Sequence, residues 1–267
     1  VRLREVIRRI EQGTGLQLRA PAAVDEGPFA AREVAAALPL LMTVGRGLHE
    51  IKPATPVQGA TALLFALRLL TCARQADGPE DRRPIVLCAP MRLWQEFGRP
   101  YAPGLAALGL DPDRIVLVAP TRVHDVLWAL EEVLRSGVAA ALVGMCDQVD
   151  LTQSRRLWLA AEETGSGAVL LTGAQTEGAG AALTRWRVAA ADSAPHPLLE
   201  TCPGTPRIAV RLERARFAAV SPVEATHVLE WCHDTLAFRL AAALGDRASR
   251  APRRAIASGG ASRQRYG

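Results

Sequence analysis

Leu-His-Glu-Ile-Lys-Pro-Ala-Thr-Pro-Val-Gln-Gly-Ala-Thr, residues 48–61, followed by the largely apolar run Ala62–Leu70, is the stretch on which the fold turns. Its layout is strand, loop, helix, the order of a phosphate-binding P-loop unit, whose loop reads Gly, four residues, Gly-Lys-Ser/Thr. Ala54, Gly59, Ala60 and Thr61 stand at the corresponding positions. The second glycine and the hydroxyl are present, while the first glycine and the lysine are not. Such a loop holds phosphates through backbone N–H groups and one ammonium that reaches the terminal phosphates. Lys52 is the only lysine in the chain and lies ahead of the loop, so no other lysine can substitute.

Outward from this unit the chain alternates. Strands are expected at Pro84–Ala89, Arg114–Ala119, Val138–Val143 and Ala168–Thr172, with helices at Ala60–Arg74, Met91–Leu108 (broken at Pro100 and Pro103), Val123–Arg135 and Thr152–Thr164. Val123, Val126, Leu127, Leu130, Val133 and Leu134 repeat at helical spacing, Gly137 supplies a stop, and Asp150 is placed to cap the last helix. Strands alternating with helices of this length imply right-handed crossovers and a mostly parallel, twisted sheet. After the glycine-rich loop 173–180, expected to be flexible, the pattern changes. Ala182–Ala190 and Arg207–Phe217 read as longer strands, and Val228–Cys232 with Leu236–Leu240 as a hairpin, an antiparallel extension on one sheet edge. The expected organisation is an N-terminal helix and linker (1–29), an α/β core (30–245) and a disordered tail (246–267). A first residue of Val points to a non-standard start codon or a missing N-terminus.

Charge is unevenly placed along the chain. The formal net charge is +5, and residues 246–267 hold Arg247, Arg250, Arg253, Arg254, Arg263 and Arg265 against one aspartate, which accounts for all of it. The core is therefore near neutral in sum. Five dispersed cysteines without a Cys-x-x-Cys pair argue for a reducing cytoplasm and against a disulfide framework or zinc site. Cys88 and Cys146 fall in apolar patterns and read as buried thiols. No apolar run reaches the ~18 residues of a membrane span, so no membrane association is expected.

The order of these elements resembles a RecA-like core. Leu-His-Glu-Ile (48–51), Tyr-Ala-Pro-Gly-Leu-Ala-Ala-Leu-Gly-Leu-Asp-Pro-Asp-Arg (101–114) and Leu-Trp-Ala-Leu-Glu-Glu-Val-Leu-Arg-Ser-Gly (127–137) resemble the ImuA family, as do Asp-Leu-Thr-Gln-Ser-Arg-Arg-Leu (150–157) and Leu-Glu-Trp-Cys-His-Asp (229–234). ImuA is the RecA-related accessory protein of damage-induced mutagenesis, and the division inhibitor SulA is similar in architecture. The resemblance spans roughly residues 30 to 245. It implies a cytoplasmic, nucleoid-associated adaptor of SOS-induced translesion synthesis. Its implied partners are an ImuB-like Y-family protein, an error-prone replicative-type DNA polymerase, RecA, and DNA directly or through them. A SulA-like inhibitor of a tubulin-like polymer and an ATP-binding recombinase-like protein are the alternatives.

A RecA-type ATPase also needs a glutamate after its second strand and an aspartate ending the Walker B strand. Pro90 and Gly144 fall at those positions, with Asp147 three residues further on and read as a turn or cap residue. The polar sensor would fall near Gly173, where Gln175 is close but misplaced. No catalytic residue, metal or cofactor is expected, although the relic loop Gly59, Ala60 and Thr61 leaves room for weak ATP binding. Surfaces remain. The six tail arginines are candidates for DNA phosphates or an acidic partner. Trp128 points away from its helix's apolar stripe, as an interface anchor or as a residue packed under a loop. Trp231, with Phe238, is a partner candidate on the hairpin, against the alternative of packing on the sheet.

Overall fold

A computed structural model describes residues 46–77, 81–178, 180–193, 196, 198–199, 202–216 and 226–241, all within the unit Asp25–Ala241. The helix expected at 2–12, a second near 30–37, both domain boundaries and the arginine tail lie outside the described residues.

The first half alternates as expected. Strand β1 (Gly47–Pro53) leads through a short 3-10 turn (Pro56–Gln58) into helix α1 (Gly59–Asp77), followed by β2 (Ile85–Cys88). Next come α2 (Met91–Phe97), α3 (Ala102–Ala107), β3 (Ile115–Val118), α4 (Val123–Ser136), β4 (Ala141–Met145), α5 (Leu151–Thr164) and β5 (Gly167–Leu171). Helix α4 ends where its sequence says it should, at Gly137 in the left-handed conformation with φ 63°. Asp150 and Gln153 close a reciprocal capping box at the start of α5. The chain then runs through β6 (Thr184–Ala191), β7 (Arg207–Ala215), β8 (His227–Cys232) and β9 (Ala237–Leu240).

All nine strands join one sheet in the order β3-β2-β4-β5-β1-β6-β7-β8-β9. Pairing is parallel from β3 through β6 and antiparallel from β6 to β9. Two expectations need correcting here. β6 was read as the start of the antiparallel extension, yet it lies parallel beside β1, so the change of direction falls one strand later. The strand expected at Val138–Val143 is Ala141–Met145, so Gly144 lies inside β4 and not at its end. Ala139 and Ala140 are buried ahead of it, and their small apolar side chains made burial look like strand.

Successive side chains on a strand face opposite ways, and each face of the sheet has its own core. On one face α1 packs Phe65, Leu69 and Leu70 with Ile51, Val143, Val169, Trp186, Val210 and Leu229. On the other, Val126 and Leu130 of α4 and Leu157 of α5 pack with Leu48, Leu142 and Leu170. Full burial of each such side chain contributes roughly 1.5–3 kcal/mol. No described helix is long and apolar enough to cross a membrane.

Candidate functional site

In open α/β sheets ligands bind beyond the carboxyl ends of the parallel strands. Here that end opens into a groove of about 1010 Å³, bordered by the β1–α1 loop, α2, α3, the end of β4 and the loop after β5. Its walls are mainly apolar, with Val57, Leu63, Leu93, Trp94 and Tyr101 among them. Gly59 and Ala60 line it as well, whereas Thr61 does not.

The β1–α1 loop is poor in free donors. Pro53 and Pro56 have no N–H. The Ala54 amide donates to the Val188 carbonyl at 2.7 Å, and the Gln58 amide to Thr55 at 3.0 Å. The Gly59 amide closes the 3-10 turn on Pro56. A phosphate cradle needs several successive N–H groups aimed into one concavity, and this loop has spent or lost most of them. Pro90, where a catalytic glutamate would stand, is buried and starts α2. At Gly144 a Cβ would collide with the Leu130 side chain, including Cδ2 at 2.9 Å. Asp147 lies at the groove mouth, exposed, its carboxylate paired with Arg92. Its carbonyl accepts from the Gly173 amide at 3.0 Å and the Thr176 hydroxyl at 2.6 Å. Gln175 lines the same wall. The Trp94 indole N–H, also in the wall, is buried with no acceptor.

Lys52 does not face this groove. It is buried in β1 and turns to the opposite side, where its ammonium donates to the Thr176 carbonyl and lies 3.8 Å from Glu213. Burial lowers its pKa from the usual lysine value, against the pull of Glu213, and Arg187 and Arg185 lower it further. Lys52 is one of several cations that hold the glycine-rich loop. Arg187 donates to Ala174 at 3.2 Å, Arg185 to Gly178 at 2.9 Å, Arg214 to Gly180 at 2.7 Å and Arg216 to Ala181 at 2.9 Å, all through backbone carbonyls. The loop expected to be flexible is thus tied to strands β1, β6 and β7 at four carbonyls, with Arg216 bonding just beyond it. Gly180 fits because a Cβ there would lie 3.0 Å from the Arg185 guanidinium and 3.3 Å from that of Arg214.

Two carboxylates anchor these cations from below. Glu50 accepts from Arg185 Nε at 2.7 Å and from the Thr172 hydroxyl at 3.0 Å. Glu213 accepts from Arg187 and lies 3.5 Å from Arg211. Burial raises the Glu213 pKa, but the Arg187 hydrogen bond and the charges of Arg187, Lys52 and Arg211 outweigh it and leave the carboxyl below its usual range. Glu213 reaches this face by alternation with Arg211, and Arg214 joins it because the β6–β7 ladder slips between Arg185 and Trp186, a bulge that turns two successive residues the same way. Sequence reading did not single out Glu50, Arg185, Arg187, Glu213 or Arg214. The strict alternation Thr-Arg-Trp-Arg-Val at 184–188 was the available signal.

The aromatic candidates separate. Trp128 is 63% exposed on α4, outward as its wheel position implied, with no described loop packed over it. Trp231 is 1% exposed, edge-on to Phe238 at 5.1 Å and beneath the Arg68 guanidinium at 5.1 Å. It is a core residue, because the odd positions of β8 face α1, and it is withdrawn as a partner anchor. Burial pushes the Cys88 and Cys146 thiols up to about 12, so both are unreactive packing groups, as read.

No family model matches the chain. It is 36% identical over 126 residues to Protein ImuA of Caulobacter vibrioides, in strain NA1000 / CB15N and in strain ATCC 19089 / CIP 103742 / CB 15, covering 43% of this chain and 51% of each relative. The chain thus spans about half the length of the curated relatives it matches, and the resemblance drawn from its motifs stands on this match. Among solved structures, SulA from Pseudomonas aeruginosa aligns over 47% of this chain and 97% of its own, at 18% identity and a TM-score of 0.37.

Proposed function

We propose that this chain is a RecA-like accessory protein of SOS-induced, error-prone translesion synthesis that has no ATPase chemistry. It would act beside an ImuB-like Y-family protein and an error-prone replicative-type DNA polymerase, with RecA as a further contact. The observation that carries the reading is the 36% identity to ImuA over 126 residues. The groove supports it. In a phosphoryl-transfer site the protein supplies positioning and charge, and each such interaction is worth about 2.7–4 kcal/mol of barrier. Here Gly59 and Ala60 border an apolar wall, the Ala54, Gln58 and Gly59 amides are already bonded, and the one lysine is buried on the other side of the sheet. The acid nearest the end of β4, Asp147, is neutralised by Arg92. The groove is thereby left to apolar contacts.

The test is capture of the tagged full-length protein from cells after DNA damage. Recovery of a Y-family-like protein together with a polymerase is the expected result. Recovery of a tubulin-like division protein without any polymerase component overturns the reading in favour of a SulA-like inhibitor. Steady ATP turnover by the purified protein with Mg²⁺ overturns the non-catalytic part alone.

A further inference from the structure

The near-neutral sum of the core conceals a sorting of its charges. Strands β1, β6, β7, β8 and β9 contain seven cationic side chains, Lys52, Arg185, Arg187, Arg207, Arg211, Arg214 and Arg239, and three carboxylates, Glu50, Glu213 and Glu230. All ten share the face of the sheet opposite α1. The other face of the same strands carries Ile51, Trp186, Val210, Leu229 and their neighbours in the core. At the sheet's middle strand α5 packs over β1, but no described helix covers this face of β7, β8 or β9.

The arrangement is costly as a purely structural one. Arg187 stands directly across from Arg211, and Arg185 directly across from Arg214. Like charges directly opposite on neighbouring strands destabilise a sheet. Glu213 relieves the first pair and Glu50 contacts Arg185 of the second. Arg214 forms no ion pair among the described residues, although the Glu50 charge acts on it, and its Nε is buried without an acceptor. Lys52, Arg185, Arg187 and Arg214 complete their hydrogen bonding on carbonyls of the 174–180 loop. Those acceptors are neutral, and an anionic oxygen is roughly twice as strong a partner for a guanidinium.

We propose that this face binds a nucleic-acid backbone through its phosphates, with Arg187, Arg211 and Arg239 as the accessible contacts. Arg185 and Arg214 are reached when phosphate oxygens replace the loop carbonyls. The ligand chemistry follows from the face itself. A surplus of four positive charges, fixed in a rigid sheet and lacking any aromatic side chain for base stacking, recognises phosphodiesters without reading sequence. Choosing a nucleic acid over an acidic protein rests on the translesion reading above.

The test is fluorescence anisotropy of the full chain with labelled DNA oligonucleotides of mixed sequence, single-stranded and duplex in separate arms, titrated with salt. Arg211 and Arg239 have side chains 44% and 57% exposed, so Arg211→Glu with Arg239→Glu leaves the core intact, which a thermal melt verifies. The double variant is expected to weaken binding at least about tenfold and to flatten the salt dependence by about two phosphate contacts. A second variant replaces the six tail arginines, Arg247 to Arg265, with Gln. Retention of most binding there supports the sheet face. The inference is overturned by loss of all binding with the tail variant and none with the double variant, or by absence of DNA binding at about 50 mM salt. Either result leaves the adaptor reading to its own capture experiment. Equal weakening in both arms assigns the site to backbone alone, and loss in one arm assigns it to that form of DNA.

Discussion

The groove at the carboxyl ends of the parallel strands and the open face of the antiparallel strands exchange the characters they would have in a nucleotide-hydrolysing protein. The groove, where phosphate donors and acids belong, is walled by Val57, Leu63, Leu93 and Trp94. The face of β6 to β9, which a hydrolase can leave plain, carries six arginines. Lys52 links the two regions. It belongs to the strand that feeds the β1–α1 loop, yet it points through the sheet and holds the loop after β5 from behind. Charge in this fold is concentrated in the half of the sheet away from the groove.

The sharpest attempt to break this contrast is to re-acidify the groove. Gly144→Asp would drive a carboxylate into Leu130 and into an apolar core. Overpacking together with an unpaired buried charge is expected to cost about 4 kcal/mol or more, or to prevent folding. A urea melt measures the cost, and a stable variant that hydrolyses ATP would erase the distinction between the two regions.

Removing an acid from the basic face is expected to have a smaller effect. Glu213→Gln takes the counter-charge from Lys52, Arg187 and Arg211, with an expected loss of about 2–3 kcal/mol at neutral pH. The sign with pH follows from the depressed Glu213 pKa. Its stabilisation is present above the ordinary carboxylate pKa of about 4.3 and is lost as pH falls through the lower folded value. Denaturation of the wild type across that acid range should therefore show a decline that the variant lacks. Equal acid limbs in the two proteins would mean that Glu213 does not anchor the cations.

The smallest effect is expected on the α1 side. Arg68 is 3% exposed, its Nε and Nη1 have no acceptor, and burial brings its pKa down to about 10. Its guanidinium lies over Trp231, and no carboxylate among the described residues pairs with it. Arg68→Met should be neutral or stabilising by about 1 kcal/mol, because a packed apolar chain replaces a desolvated charge. A melting temperature that falls by several degrees would show that this cation does structural work comparable to those on the opposite face.

Local signals in the sequence explain why half of this was legible. Helix α4 was readable because its apolar residues repeat at 3.6 spacing and Gly137 follows, and α5 because Asp150 and Gln153 cap it. Parallel pairing followed from the alternation of strands and helices. The cation network was not readable, because its bonds join residues far apart in the chain, such as Lys52 with Thr176 and Arg185 with Glu50. The bulge that brings Arg214 onto the face of Glu213 depends on the cross-strand register, which composition does not encode. Trp231 was misjudged for a related reason. Its neighbours Glu230 and Cys232 face the other way, and only the pairing of β8 with β7 and β9 says which parity is inside. A count of charges along the chain also placed the basic character in residues 246–267, because it sums the core's acids and bases without regard to the face on which they stand.

The fit between Gly144 and Leu130 also limits which substitutions the protein can accept. The space beside the strand is filled by the side chain of a neighbouring helix, with both Leu130 methyl carbons inside contact distance of where a Cβ would begin, Cδ2 at 2.9 Å. A single base change that wrote an acid at 144 would meet a closed wall and destabilise the protein. Room for it would need Leu130 to shrink first, a change that opens a cavity and destabilises the fold with no benefit of its own. The helix packing therefore acts as a lock that no one-residue change opens.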